Sequence, residues 1–197
     1  MKILKILIAL VVAAGSSSIP DQKVLRSDAA LDYQTVQITS FEGTPFSGHV
    51  VEYYENGELK SDVSFLNGLR QSVSKGYHPN GVLAYERLYK VGEKHGNHVG
   101  FYESGAKQFE YHFDHGVNIG THTEWYESGQ VSTLFNYENG QPFGLQQTYR
   151  SDGKLRSNYV IREDGRRYGL VGIKRCKNID TEDEQIKPLI ADAYVKP

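Results

Sequence analysis

At 197 residues the chain is long enough for one ordinary domain, and 20 glycines with 12% aromatic residues against a single Trp and a single Met favour strands and turns over helices. A formal net charge of −2 gives no attraction for nucleic acid or for an anionic membrane surface. With Cys176 as the sole thiol no internal disulfide can form, and it reads as a small buried hydrophobe rather than a reactive group.

In chain order, residues 1–18 come first. MKILKILIALVVAAGSSS carries Lys2 and Lys5, an apolar run from Ile6 to Ala14, and then small residues, the order of a secretory signal. The run falls well short of the ~20 residues that span a bilayer, so the segment is expected to be cleaved and the protein to be secreted or periplasmic. Removing both lysines leaves 20 basic against 24 acidic residues, a net charge of about −4. No cysteine stands at the cleavage point to take a lipid anchor. Residues 19–45 form an N-terminal cap or linker. Within them the alternating stretch Tyr33 to Phe41 is expected to add a strand to the sheet's open edge, since a bare edge invites aggregation.

Residues 46–166 contain five 24-residue repeats. Gly57, Gly81, Gly105, Gly129 and Gly153 recur every 24 residues and are structural turn positions. A second ladder, Gly68, Gly92, Gly116 and Gly140, keeps that period and ends at Gly165 after a step of 25, which implies an inserted residue. A third, Gly48, Gly96, Gly120 and Gly144, lacks only its member at Ser72. The first-ladder glycines follow Asn56, Asn80, Ser104, Ser128 and Asp152, the dipeptides of two-residue hairpins with positive φ. In the second ladder Val91-Gly92 is the weak member. Each repeat thus reads strand, turn, strand, turn.

Apolar residues between the turns are spaced by two. One row is Tyr53, Tyr77, Phe101, Trp125 and Tyr149; another is Phe65, Tyr89, Phe113, Tyr137 and Ile161, supported by Val63, Tyr111, Phe135 and Tyr159. Lys60, Asp62, Glu86, Gln108 and Glu110 alternate with them, so one face is aromatic and the other wet. A lone hairpin is marginal in water and gains stability by stacking its row on its neighbours'. The expected fold is all-β: an elongated, twisted, single antiparallel sheet of ten strands, about 48 Å across at ~4.8 Å per strand, with small terminal caps.

The run Glu52-Tyr53-Tyr54-Glu55-Asn56-Gly57-Glu58-Leu59-Lys60 followed by Phe65-Leu66-Asn67-Gly68 resembles the bacterial MORN repeat variant. The pattern returns at Glu124-Trp125-Tyr126-Glu127-Ser128-Gly129-Gln130-Val131 with Tyr137-Glu138-Asn139-Gly140, while His78 and Arg150 replace the second Tyr in repeats two and five. The resemblance implies a fold and, loosely, a role. Related repeats serve as scaffolds or have been linked to phospholipid contact, and some members are catalogued as antitoxins, which fits badly with export.

After the repeats, residues 167–197 hold a partial sixth repeat, Tyr168 to Cys176, and a cap or tail in which Thr181 to Ile190 reads as a short capped helix.

Among candidate chemistry, five histidines lie between 95 and 122. His95 and His98, and His112 and His115, form two H-x-x-H pairs beside Glu103, Glu110, Asp114 and Glu124. His98 and His122 are equivalent positions about 10 Å apart, too far for one ion, whereas His112 facing His122 across their shared turn makes the candidate metal pair. No nucleophile elbow, phosphate loop or carboxylate pair outside the tail suggests catalysis, and no cofactor is implied. Tyr54, Tyr102 and Tyr126, adjacent to the core row, are expected on the opposite face as an exposed stripe interrupted by His78, able to anchor a partner or merely to stabilise the sheet. The expected role is a non-enzymatic scaffold that binds another protein or a second copy of itself. The alternatives are a module for cell-wall glycan or a metal ion, and an antitoxin-like role.

Overall fold

The computed structural model describes residues 18–33 and 38–172. The expected leader, Cys176 and the expected C-terminal helix lie outside the described residues. Among those described there is no helix. The N-terminal segment gives β1 (Lys23–Leu25), β2 (Leu31–Asp32), β3 (Ser40–Phe41) and β4 (Thr44–Pro45). Five hairpins follow. They are β5 (Gly48–Tyr53) with β6 (Leu59–Leu66), and, after the two-residue β7 (Leu69–Arg70), β8 (Ser72–Tyr77) with β9 (Leu83–Lys90). Next come β10 (Glu93–Phe101) with β11 (Lys107–Asp114), then β12 (Val117–Asn118) and β13 (Gly120–Trp125) with β14 (Val131–Glu138). The fifth is β15 (Gln141–Tyr149) with β16 (Leu155–Ile161), and β17 (Arg167–Leu170) pairs with β16 as the first strand of a sixth unit.

These strands make one 14-stranded sheet in the order β1-β5-β6-β8-β9-β10-β11-β13-β14-β15-β16-β17, with β7 on β6 and β12 on β11. All the neighbours pair antiparallel but one. The N-terminal edge is closed by β1, which runs parallel to β5; of the stretch Tyr33 to Phe41 expected there, Ser40 and Phe41 belong to a separate three-stranded sheet, β2-β3-β4, and residues 34–37 lie outside the described residues. The sheet is therefore mixed and has a small companion sheet, where a single antiparallel sheet was expected. That companion sits where the strongest packing lies: Val24, beside Val50 in the large sheet, joins Leu31, Phe46, Val50, Val63 and Phe65 in one buried cluster, with Tyr33 and Phe41 against it.

The two turn types differ in a way that corrects the dipeptide reading. At Asn67-Gly68, Val91-Gly92, His115-Gly116 and Asn139-Gly140 both residues have positive φ, as a two-residue type I′ hairpin requires. At the first ladder only the glycine does, at φ +80 to +85. There Tyr54 N–H bonds to the Glu58 carbonyl and Gly57 N–H to the Tyr54 carbonyl, so residues 55–57 form a three-residue loop ending in a glycine bulge. The residue before the glycine serves as a local acceptor: Asn56 takes the Glu58 N–H, Asn80 the Val82 N–H and Asp152 the Lys154 N–H. Gly165 closes a turn of this first kind, with Gly165 N–H to the Arg162 carbonyl and Asp164 accepting the Arg166 N–H. The step of 25 is thus the one inserted residue expected: a three-residue loop stands where the second ladder otherwise has a two-residue turn.

Cross-strand pairing puts Val50 opposite Val63, Ser74 opposite Arg87, His98 opposite Tyr111, His122 opposite Phe135 and Gln146 opposite Tyr159. All ten side chains share one face, because side chains alternate along a strand. Phe65, Tyr89, Phe113 and Ile161 are buried on this face. The row expected as the principal core, Tyr53 to Tyr149, instead follows a register shift at the first-turn end of every hairpin, and Tyr53 is 47% exposed. That row is a rim.

Candidate functional site

Tyr54, Tyr102 and Tyr126 are half-buried rather than exposed, and their hydroxyls are committed. Tyr54 Oη donates to the Tyr77 carbonyl at 2.8 Å, Tyr102 Oη to Trp125 at 2.7 Å and Tyr126 Oη to Tyr149 at 2.9 Å. Each bond reaches the rim residue of the next hairpin. His78 does not interrupt the series: its Nε2–H donates to the Phe101 carbonyl at 2.9 Å. These four side chains are staples between successive hairpin tips. Two of the three tyrosines nevertheless meet at one place, since Tyr102 and Tyr126 line, with Phe109, Tyr111, Glu124 and Trp125, an open depression of about 320 Å³ between the third and fourth hairpins. The Tyr111 hydroxyl donates to the Glu124 carboxylate, and burial, then this bond and charge, push the Tyr111 phenol well above its ordinary value. Lys107 lies 5.3 Å from the Trp125 ring centre.

His98 and His122 are 3% and 7% exposed and form part of the aromatic packing. Ring centres step from Tyr89 to His98 at 5.3 Å, to Phe113 at 4.6 Å, to His122 at 5.4 Å and to Tyr137 at 4.5 Å. Their polar atoms are satisfied by one device. Between Lys94 and His98 the pairing of β10 with β9 slips, so that three residues oppose Leu88 alone, and His98 Nε2 reaches the Leu88 carbonyl at 2.7 Å. One repeat on, His122 Nε2 bonds to the His112 carbonyl at 2.9 Å, and two on, Gln146 Nε2 to the Asn136 carbonyl at 2.8 Å. A carbonyl only accepts, so both histidines carry the proton on Nε2. Burial holds both imidazoles below their ordinary pKa, against the opposing pull of the carbonyl. In the second hairpin Ser74 occupies this position and is too short for the same reach; its buried Oγ finds no partner among the described residues. The 24-residue spacing already makes His98 and His122 equivalent positions; the same spacing extends the series to Ser74 and Gln146, a step the sequence reading did not take.

The expected pair of metal ligands does not converge. His122 is on the aromatic face, while His112 follows Tyr111 onto the other, where its Nδ1 bonds to Asn97 Oδ1 at 2.7 Å. The two ring centres stand 6.5 Å apart, and His122 Nε2 is already held by the His112 carbonyl. A different set does come together at the second-turn edge: His95, Asp114 and His115.

Three segments match the MORN repeat variant. They are residues 47–67, 70–90 and 119–139, and each coincides with one hairpin: β5–β6, β8–β9 or β13–β14. The hairpins β10–β11 and β15–β16 share the first-turn geometry of the three matched hairpins, with Gly105 and Gly153 at φ +84 and +80 and the Tyr102 and Arg150 backbones closing the loops. MORN repeats are generally associated with scaffolds for protein or membrane-lipid interaction. Comparison with curated proteins gave no match.

Proposed function

We propose that the chain is an exported, non-enzymatic scaffold that binds another protein through the part of its aromatic face running from the second hairpin to the fifth. One observation carries this reading. At the N-terminal end the face is packed against the chain's own cap, with Leu31 in the buried cluster and Tyr33 and Phe46 against Phe65, whereas Tyr85, Phe109, Tyr111, Trp125, Phe135 and Tyr159 further along are only half-buried among the described residues. The cap illustrates what such a surface accepts: a short extended segment that contributes a few apolar side chains. The depression beside Trp125 supplies the concave, aromatic anchor point typical of interface hot spots. The three tyrosine hydroxyls and His122 Nε2, which the sequence suggested for binding, are held on backbone carbonyls, which favours presentation of a surface over catalysis at those positions. The leader-like order of residues 1–18 supports export, and an acidic balance disfavours anionic lipid.

The test is capture from the extracellular or envelope fraction of the source cells by wild-type protein and by Trp125→Ala and Ser132→Arg variants, the latter placing a long cation in the depression that Ser132 lines. The reading requires discrete proteins that the wild type retains and both variants lose while melting normally. Equal recovery by all three removes it. Trp125 is the only Trp, so its emission should also shift to the blue when the captured partner is added back.

A further inference from the structure

We propose that His95, Asp114 and His115 form a binding site for one divalent transition-metal ion. The three come from three distinct local structures. His95 lies in the slipped stretch of β10, Asp114 ends β11, and His115 is the first residue of the type I′ turn with φ +45. Asp114 Oδ1 stands 3.3 Å from His95 Nδ1 and 2.8 Å from His115 Nδ1, and the two imidazole centres are 5.3 Å apart, edge to face. Three donor atoms, one from each residue, lie within 4.8 Å of one another. A tetrahedral ion with bonds of ~2.0–2.1 Å has ligand atoms about 3.3 Å apart; the His95–Asp114 pair already stands at 3.3 Å and the Asp114–His115 pair would open from 2.8 Å, while the two imidazole donors lie within 4.8 Å.

A second observation singles out His95. In the first two units this position serves the neighbouring turn: Ser47 Oγ accepts the Asn67 N–H at 2.8 Å and Gln71 Oε1 the Val91 N–H at 2.7 Å. In the third unit His95 makes no such bond. Its Nδ1 is shielded from solvent and finds no hydrogen-bond partner among the described residues, although it points toward Asp114. An orphaned buried nitrogen carries a desolvation cost, which a metal ion would cancel. The rest of the site is open, with the Asp114 and His115 side chains 55% and 63% exposed, so an ion has an entry path and water can complete its shell. Two imidazoles and one carboxylate suit zinc and its neighbours, whereas calcium and magnesium take oxygen sets.

The experiment titrates zinc into the tag-free full chain by calorimetry. His95→Gln and His115→Asn are the informative variants, because Gln71 and Asn67 fill the same positions in other units and the fold should tolerate both. The expected result is one zinc per chain, little heat with magnesium or calcium, and affinity lowered by at least about tenfold in each variant, since even outer-sphere partners of metal ligands are worth that much. His112→Ala leaves binding unchanged. The proposal is overturned if the wild type takes up no zinc at excess metal, or if both variants bind as the wild type does while circular dichroism shows them folded.

Discussion

Val91 is the residue whose chemistry is least suited to its backbone. It holds φ +51 in a type I′ turn, a conformation that for a β-branched residue is a marked outlier. The left-handed region costs an L-residue about 1–2 kcal/mol, and Asn is among the few that visit it readily. The side chain recovers little of this, being 64% exposed, and the turn's N–H bond to Gln71 Oε1 belongs to the backbone and survives substitution. Val91→Asn should therefore stabilise the protein by about 1 kcal/mol, or roughly 2–4 °C in melting temperature for a chain of this size. Val91→Gly should gain less, because glycine adds freedom to the unfolded chain. Urea melts read both, with the midpoint rising and the slope unchanged. A Val91→Asn midpoint equal to or below the wild type at constant slope would refute the argument that turn strain is stored at this position.

Stability should also depend on acid. Burial keeps His98 and His122 neutral in the fold, whereas in the unfolded chain they take up protons near pH 6.5; their contribution is therefore complete above about that pH and is lost as the pH falls through the lower folded values. His122→Gln, which supplies the donor that Gln146 supplies in its own unit, should flatten that fall in a pH series of melts. Tyr126→Phe should cost about 1 kcal/mol by leaving the Tyr149 carbonyl without its bond, and the loss should add to that of Tyr54→Phe, three units away. Gly100→Ala should cost about 2 kcal/mol, within the range for overpacking, because its new Cβ would lie 2.0 Å from Phe109 Cε1 and the ring lying across the glycine must move; unchanged stability in urea would show that the ring moves freely.

The hairpins were legible in the sequence because each is specified locally, by a turn glycine and by alternation within eight residues. What was not legible lies between units. Tyr54 is a stripe member or a staple depending on whether its hydroxyl meets the Tyr77 carbonyl 23 residues away, and one repeat alone does not show that register. The same holds for His122, whose spacing from His98 was plain but whose partner, the His112 carbonyl, also takes the Ile119 N–H and comes within reach only through the register of β12 and β13 on β11. Nor could residues 19–45 announce a parallel edge, since three residues of Lys23–Leu25 carry too little pattern to fix direction. The His95 cluster was half visible: its residues were among the candidates, but the choice of which converge rests on the type I′ turn that brings His115 back over Asp114.

On the reading proposed above, the open aromatic face, not the wet one, meets the partner. A photo-crosslinking amino acid at position 125 beside the depression, compared with the same group at position 86 where Glu86 pairs with Lys75 on the opposite face, tests it in the source cell fraction. Discrete protein adducts are expected from position 125 and none from 86. Adducts from 86 alone, or the same adducts from both, would contradict it.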